Sequence, residues 1–262
     1  MATFQITFVP STANNQTITI SHQNYEGQPP AWHRDQVRLV LYKEVPISAT
    51  GGSMSFAGVS TSYLSLANDA DFRFGTGDFT IEWFQNLTAG ISFPRIFSMG
   101  TYSATPSLGA TIAVSIESSR FYFWIGGTGN NFGIISVTGA WNYFAISRSG
   151  TSVRVFLNGT QLGATLTSSY NFNDTTNPLT IGTESTPAAN NVFKGFLTNF
   201  RWTKGAALYT ANFTKPSAPL TADANTKLLL LASSSETVTS DSSGLNKTVT
   251  NNSVTYSSGT PF

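Results

Sequence analysis

Residues 193–231 decide the fold and read FKGFLTNFRWTKGAALYTANFTKPSAPLTADANTKLLLL. The first part predicts a strand, because successive side chains alternate between two faces. One predicted face carries Phe196, Thr198, Phe200 and Trp202, and the other carries Leu197, Asn199, Arg201 and Thr203. Because both faces hold apolar residues, we expect the strand inside a two-sheet sandwich. Lys204 and Gly205 end it, AALYT predicts a short turn, and Pro216 and Pro219 favour an extended segment.

The composition indicates strands joined by turns. Of the 262 residues 10% are charged and 13% aromatic, and the formal net charge is +1. Ser, Thr, Asn and Gly are plentiful, as turns require. This neutral balance gives no electrostatic reason to expect nucleic acid or an anionic membrane as a partner. With no Cys the fold uses no disulfide, and we expect neither a signal peptide at MATFQITFVP nor membrane insertion.

The sequence pattern of residues 1–50 predicts a short β-rich accessory section. Alternating patterns predict strands at 3–9, 16–21 and 36–45. Three such strands would be marginal alone, so we expect the section to dock on the main domain or on a neighbouring subunit. In the loop between the last two, Trp32-His33 is interpreted as packing rather than as a ligand contact.

Three stretches resemble concanavalin A-like (laminin-G-like) jelly-roll domains, especially those of phage and large-virus structural proteins. They are SMSFAG to TIEW (53–83), WNYFAISR to VFLNG (141–159), and residues 193–231 with their N-x-R strand, GAALYT and FTKPSAPL. Tyr143 stands where many relatives have His. The resemblance covers roughly residues 51–262. It implies an all-β, two-sheet antiparallel jelly-roll sandwich with the short N-terminal section attached.

We therefore divide the chain into the accessory section 1–50, the sandwich 51–232 and a C-terminal tail 233–262. In relatives that carry such domains in tandem, a sequence similar to that of the tail comes immediately before the S-x-x-F-x-G strand. The tail is thus expected to complete its own sandwich or, by strand exchange, that of a neighbouring subunit. Completion within the chain is favoured because it needs no partner.

The sequence carries no catalytic constellation, so we predict that the protein is not an enzyme. Retaining glycosidases need two carboxylates about 5 Å apart. The candidate glutamates Glu82, Glu117, Glu184 and Glu236 stand alone among Ser, Thr and aromatic residues. A Ser-His-Asp triad would have to recruit His22 or His33, and no nucleophile elbow or phosphate loop is present.

Calcium is the one cofactor left open, because many relatives bind it. Asp69, Asp71 and Asp78 lie in predicted loops and offer the oxygen ligands that hard cations prefer. The alternative is that they are solvated carboxylates of turns, since a calcium site needs several ligands.

The resemblance implies a non-enzymatic virion structural protein on the outer surface, as a capsid-associated, decoration or tail-fibre component. Its partners would be other virion proteins or copies of itself. A lectin-like domain could also bind host-surface glycans through aromatic stacking and amide hydrogen bonds. The candidate residues for this are Tyr102, Trp124, Asn130, Asn131 and Asn190. Alternatively, Trp124 is core and the asparagines form turns.

Two other functions stay open at this stage. The first is a purely architectural module without ligand, in which residues 1–50 and the tail are contact arms. The second is a carbohydrate-binding adhesin of a cellular organism, for which we would expect a signal peptide or an adjoining catalytic domain. The fold alone cannot decide among them.

Overall fold

The computed structural model of the chain describes residues 51–100, 111–185 and 191–262. The predictions for residues 1–50, Tyr102 and Asn190 lie outside the described residues. The strands are β1 (Ser53–Ala57), β2 (Tyr63–Leu66), β3 (Phe79–Leu87), β4 (Arg95–Met99), β5 (Ile112–Glu117), β6 (Arg120–Ile125), β7 (Thr128–Ile134), β8 (Trp141–Ser149), β9 (Ser152–Leu157), β10 (Thr160–Thr167), β11 (Leu179–Ile181), β12 (Lys194–Lys204), β13 (Thr226–Leu230), β14 (Thr250–Asn252) and β15 (Thr255–Ser257). Short 3₁₀ helices lie at Ala70–Phe72 and Ser235–Thr237.

These strands form two antiparallel sheets, which confirms the predicted all-β sandwich. Sheet A has the order β10-β9-β8-β3-β12-β1-β15, with β13 also paired to β12. Sheet B has the order β14-β2-β11-β4-β5-β6-β7. In the part of the chain that the structure describes, no helix is long and apolar enough to cross a membrane.

Aromatic side chains from both sheets fill the space between them. Trp83 of β3 is fully buried. Its ring centroid lies 5.8 Å from Phe97 and 6.5 Å from Phe121, both on sheet B, and 5.5 Å from Phe144 and 6.4 Å from Phe200 on sheet A. Such rings bury large apolar areas and pack in tilted or offset pairs. The two sheets are therefore held together by one aromatic core.

A β-bulge in β12 changes which side chains face this core. Its register with β3 shifts around Asn199, whose φ is +54°. Leu197 before the bulge and Phe200 and Trp202 after it all belong to the core. The prediction that Phe196 shares a face with Phe200 and Trp202 is therefore wrong, because the extra residue reverses the alternation at Asn199.

The C-terminal tail adds one strand to each sheet. β15 pairs with β1, and β14 pairs with β2 of the same chain. Tyr256 lies so close to Gly52 that any Cβ there would clash with its ring. At the end of the chain, Phe262 packs edge-on against Phe84 with the ring centroids 5.1 Å apart. Exchange of the tail between subunits stays a prediction.

The bulge can be tested by substitution at Asn199. Its Oδ1 accepts a hydrogen bond from the backbone N–H of Leu220 at 2.6 Å. We expect Asn199→Ala to lower the free energy of unfolding by roughly 2–4 kcal/mol, because Ala adopts positive φ at a cost and leaves a buried N–H unpaired. Asn199→Gly avoids the first cost, because Gly adopts positive φ freely, and keeps only the second, so it should lose less in urea denaturation. Equal losses for both variants would contradict this account of the bulge.

Candidate functional site

Residues 205–221 form a segment, here called the strap, that crosses the outer face of sheet A. Leu208 donates its backbone N–H to Thr80 Oγ1 at 2.9 Å. Further along, Phe213 donates its N–H to the carbonyl oxygen of Gly159 at 2.9 Å. Gly159 has φ +86°, and a Cβ there would clash with the carbonyl of Phe213. The Asn-Gly hairpin turn at Asn158 and Gly159, between β9 and β10, thus also provides the close approach that the strap needs.

Aromatic rings attach the strap to the sheet beneath it. Tyr209 and Phe213 of the strap stack on each other with a centroid distance of 3.7 Å. Phe213 also lies 5.3 Å from Phe156 and 6.0 Å from Tyr143, and Tyr143 lies 4.8 Å from Phe84. These contacts form a second, smaller apolar cluster. The strap therefore closes this part of the outer face of sheet A.

Glu82 is the centre of a buried polar cluster under the strap. Its side chain is fully buried, and Oε1 accepts a hydrogen bond from Arg201 Nε at 2.7 Å and lies 2.5 Å from Nη2. Its other oxygen, Oε2, accepts hydrogen bonds from the hydroxyls of Tyr143 and of Tyr209, the latter at 2.9 Å. Arg201 Nη1 in turn donates to the carbonyl oxygen of Thr221 at 2.7 Å. The partners of Glu82 are thus an arginine and two tyrosines rather than a second carboxylate.

The protonation of this cluster follows from its surroundings. Burial, and then the charge of Glu82, raise the pKa of Tyr143 and raise that of Tyr209 to about 12. For Arg201, burial lowers the pKa, but the charge and hydrogen bond of Glu82 outweigh it, so the net shift is upward. The tyrosines thus stay neutral and the arginine charged near neutral pH. Because both carboxylate oxygens are buried and bonded, Glu82 holds the fold together and is closed to a substrate.

The predicted calcium ligands do not form one cluster. Lys247 of the tail places its Nζ 2.7 Å from Asp69 Oδ2 and 2.6 Å from Asp71 Oδ2. Asp78 Oδ1 instead accepts a hydrogen bond from the backbone N–H of Gly150 at 2.8 Å. Within the described ranges, no group of three His, Cys, Asp or Glu residues could hold a metal ion. An ammonium group thus lies between two of the proposed ligands, and calcium binding stays a prediction.

Calcium would have to displace this ammonium group. We expect calcium and chelator to leave the melting temperature of the wild-type chain unchanged, because the Lys247 ammonium group already lies between the carboxylates of Asp69 and Asp71. Lys247→Ala should cost at most about 1 kcal/mol, since the two carboxylates are 37% and 32% exposed. Thermal melts of both chains with calcium and with chelator check this. A rise in the melting temperature of the wild-type chain with calcium would contradict this expectation and support the metal site.

An open groove lies between β7 and β10, which are edge strands of sheet B and sheet A. At one point the strands touch, because Gly163 of β10 has φ +66° and no Cβ to clash with the carbonyl of Phe132. Two adjoining depressions of about 380 and 340 Å³ share Asn130 and Leu166. We call them together the edge groove; its lining is Ile125, residues 128–132 and residues 164–170. The residues of this lining are uncharged. The volume of each depression is within the range of small-ligand sites.

Trp124 lies beside this groove on the outer face of sheet B. Its side chain is half-buried rather than part of the core, and its indole N–H donates to Ser115 Oγ at 2.8 Å. The ring lies against Gly129, a groove residue, where a Cβ would come within 3.0 Å of it. The guanidinium carbon of Arg95 is 5.4 Å from the ring centroid, and the Tyr122 ring is 6.3 Å away. Trp124 and Tyr122 thus form an aromatic surface that borders the groove at Gly129.

Asn130 and Asn131 lie on β7, which begins at Thr128, rather than in a turn. Asn130 Nδ2 donates to the carbonyl oxygens of Phe123 and Thr128 at 3.2 and 3.1 Å. Asn131 Oδ1 accepts the N–H of Gly133 at 2.9 Å, and its side chain is exposed. The structure therefore brings Trp124, Asn130 and Asn131 to one sheet edge.

The opposite wall of the groove was missed by the sequence analysis. Residues 164–170 follow the hairpin turn as a Ser/Thr-rich edge strand and its continuation. Tyr170 ends this wall, and its ring packs so closely on Gly126 that a Cβ there would clash with it. The abundance of Ser and Thr in this stretch indicated an exposed strand. That this strand lies next to β7 could not be predicted, because the contact forms only when the two sheets pack together.

Comparison with known proteins gives one family match. The model of the "Concanavalin A-like lectin/glucanases superfamily" matches residues 58–208. None of the curated proteins matches the sequence.

Solved structures with a similar fold are distant in sequence. A Bacteroides ovatus protein provisionally assigned to carbohydrate binding has a TM-score of 0.64 and 16% identity, over 80% of this chain and 60% of that chain. A heptameric SAP-like pentraxin of Limulus polyphemus has a TM-score of 0.48 and 16% identity, over 62% of this chain and 79% of that one. Domains LG4-5 of the mouse laminin alpha1 chain have a TM-score of 0.44 and 15% identity, over 64% and 47%. At these identities the likeness concerns the fold alone.

Proposed function

We propose that this chain, which belongs to the concanavalin A-like lectin/glucanase superfamily, binds carbohydrate in the edge groove. The family membership confirms the resemblance seen in the sequence. The observation that carries the proposal is the groove itself, in which uncharged amide and hydroxyl side chains lie next to half-buried aromatic rings.

The chemistry of the groove fits the surface of a sugar. A pyranose presents hydroxyl groups at its rim and C–H groups on its faces. Asn131 and the hydroxyl side chains at 165 and 167–169 offer donors and acceptors to the rim. Tyr170 on one wall, and Trp124 with Tyr122 beside the other, offer apolar ring surface to the faces. An unoccupied groove of this kind is solvated, so the saccharide would exchange water contacts for protein contacts at modest cost.

The strap is a second argument for the edge groove, because it covers the other aromatic surface on which a saccharide could stack. The outer face of sheet A carries Phe84, Tyr143 and Phe156, which would otherwise be an aromatic platform. Tyr209 and Phe213 of the strap already cover Tyr143 and Phe156, and Phe262 of the tail covers Phe84. A saccharide could reach them only if the strap detached from Glu82. The edge groove is accessible without any such change.

The proposed activity is binding without catalysis. The lining of the edge groove contains no carboxylate among the described residues, whereas glycoside hydrolysis needs two. The position on the outer surface of a virion, with virion proteins or copies of this chain as partners, stays a prediction from the sequence resemblance. No match described above bears on it.

A glycan array with the full chain tests the proposal. We expect selective binding that Trp124→Ala and Asn131→Ala each weaken by about tenfold or more, equivalent to about 1.4 kcal/mol. The matched control is Trp141→Ala, since Trp141 is also half-buried but lies on sheet A beside Phe196. It should bind as the wild type does.

Two results would contradict the proposal. If the folded wild-type chain binds no glycan selectively, the architectural function replaces it. If Trp141→Ala weakens binding as much as Trp124→Ala does, the saccharide lies elsewhere on the sandwich.

A further inference from the structure

One wall of the edge groove is bonded to a buried arginine. Arg148 lies near the end of β8 and is 1% exposed. Its Nη1 donates to the carbonyl oxygen of Tyr170 at 2.9 Å, and its Nη2 donates to that of Ser168 at 3.3 Å. The same guanidinium group donates through Nε to the carbonyl oxygen of Gly150 at 2.8 Å. It thus connects the groove wall to the hairpin between β8 and β9.

The charge of Arg148 depends on these carbonyl groups. No ion pair of Arg148 occurs among the described residues, although its guanidinium carbon lies 5.4 Å from the centroid of the Phe172 ring. Burial lowers the pKa of Arg148, and the charge of Asp78 partly opposes this. A buried cation needs compensating acceptors. The carbonyls of Ser168 and Tyr170 supply part of this compensation, so the backbone there is held where the guanidinium fork can reach it.

The position of this backbone sets the shape of the groove. Tyr170 lies between the two sheets' edges, with its ring against Gly126 of the turn after β6 and 5.0 Å from the Phe172 ring. Ser168 and Tyr170 both line the groove, on the side opposite Asn130. A shift of residues 168–170 would therefore change the distance between the hydroxyl groups of this wall and the amides of β7.

We propose that Arg148 is a positioning residue for the edge groove, which holds the wall at 168–170 in the geometry that takes a saccharide. This inference rests on the proposed function. Arginine suits the task because its planar fork bonds several carbonyl oxygens in fixed directions, whereas a lysine ammonium group cannot do so from one place. Arg148 does not touch the saccharide and acts through the backbone that it holds.

The test compares Arg148→Lys with the matched control Arg154→Lys, which alters an arginine of β9 outside the groove lining. The first readout is the Kd for the array saccharide that the wild-type chain binds most tightly, measured where thermal melts show every variant folded. We expect a tenfold or greater loss for Arg148→Lys and none for Arg154→Lys. The second readout is the set of amide chemical shifts at residues 168–170, which should change only in Arg148→Lys.

The outcomes separate this inference from the proposed function. The inference is overturned if a folded Arg148→Lys chain binds the saccharide with wild-type affinity and its amide chemical shifts at residues 168–170 are unchanged. If the wild-type chain binds no glycan, the proposed function fails, and with it the role in binding; the shifts then decide only whether Arg148 holds the wall. If Arg148→Lys does not fold, Arg148→Gln, which keeps one amide donor, takes its place in both readouts with the same expected results.

Discussion

The buried carboxylate of Glu82 is the constraint on which the arrangement of sheet A depends. A buried charge is costly unless it is paired and hydrogen-bonded, and loss of one partner leaves the other uncompensated. Glu82 meets this condition with Arg201 of β12, Tyr143 of β8 and Tyr209 of the strap. Three separate parts of the chain are therefore fixed to one side chain of β3. The strap, which is mostly irregular and exposed, owes its place to this cluster and to the rings beside it.

This constraint also determines where a ligand could bind. With the strap in place, Tyr143 and Phe156 on the outer face of sheet A are covered, and these two rings serve packing rather than recognition. Between β7 and β10 the edges of the two sheets meet at Gly163 and leave an uncharged groove on either side of Asn130 and Leu166. Arg148 behind one wall and Trp124 beside the other give this groove a defined shape. The proposed carbohydrate site thus follows from which surfaces the fold closes and which it leaves open.

The strands were predictable from the sequence because alternation and turn residues are local signals, and the family resemblance supplied the sandwich. Contacts between distant residues were not predictable in the same way. Glu82 looked isolated because its partners lie 61, 119 and 127 positions along the chain. Asp69 and Asp71 looked like calcium ligands because Lys247 comes 178 and 176 positions later. Trp124, Asn130 and Asn131 could be placed near one another because they share a hairpin, but the wall opposite them comes from sheet A.

The most direct test of this account is hydrogen exchange of the strap amides in the wild-type chain and in Glu82→Gln. If the strap is a fixed part of the fold, the amides of Leu208, Phe213 and Leu220 exchange slowly in the wild-type chain, as those of β3 do. In Glu82→Gln they should exchange much faster while the amides of β5 and β6 keep their protection. Fast exchange of the strap amides in the wild-type chain would contradict the account, because the outer face of sheet A would then be open to ligands.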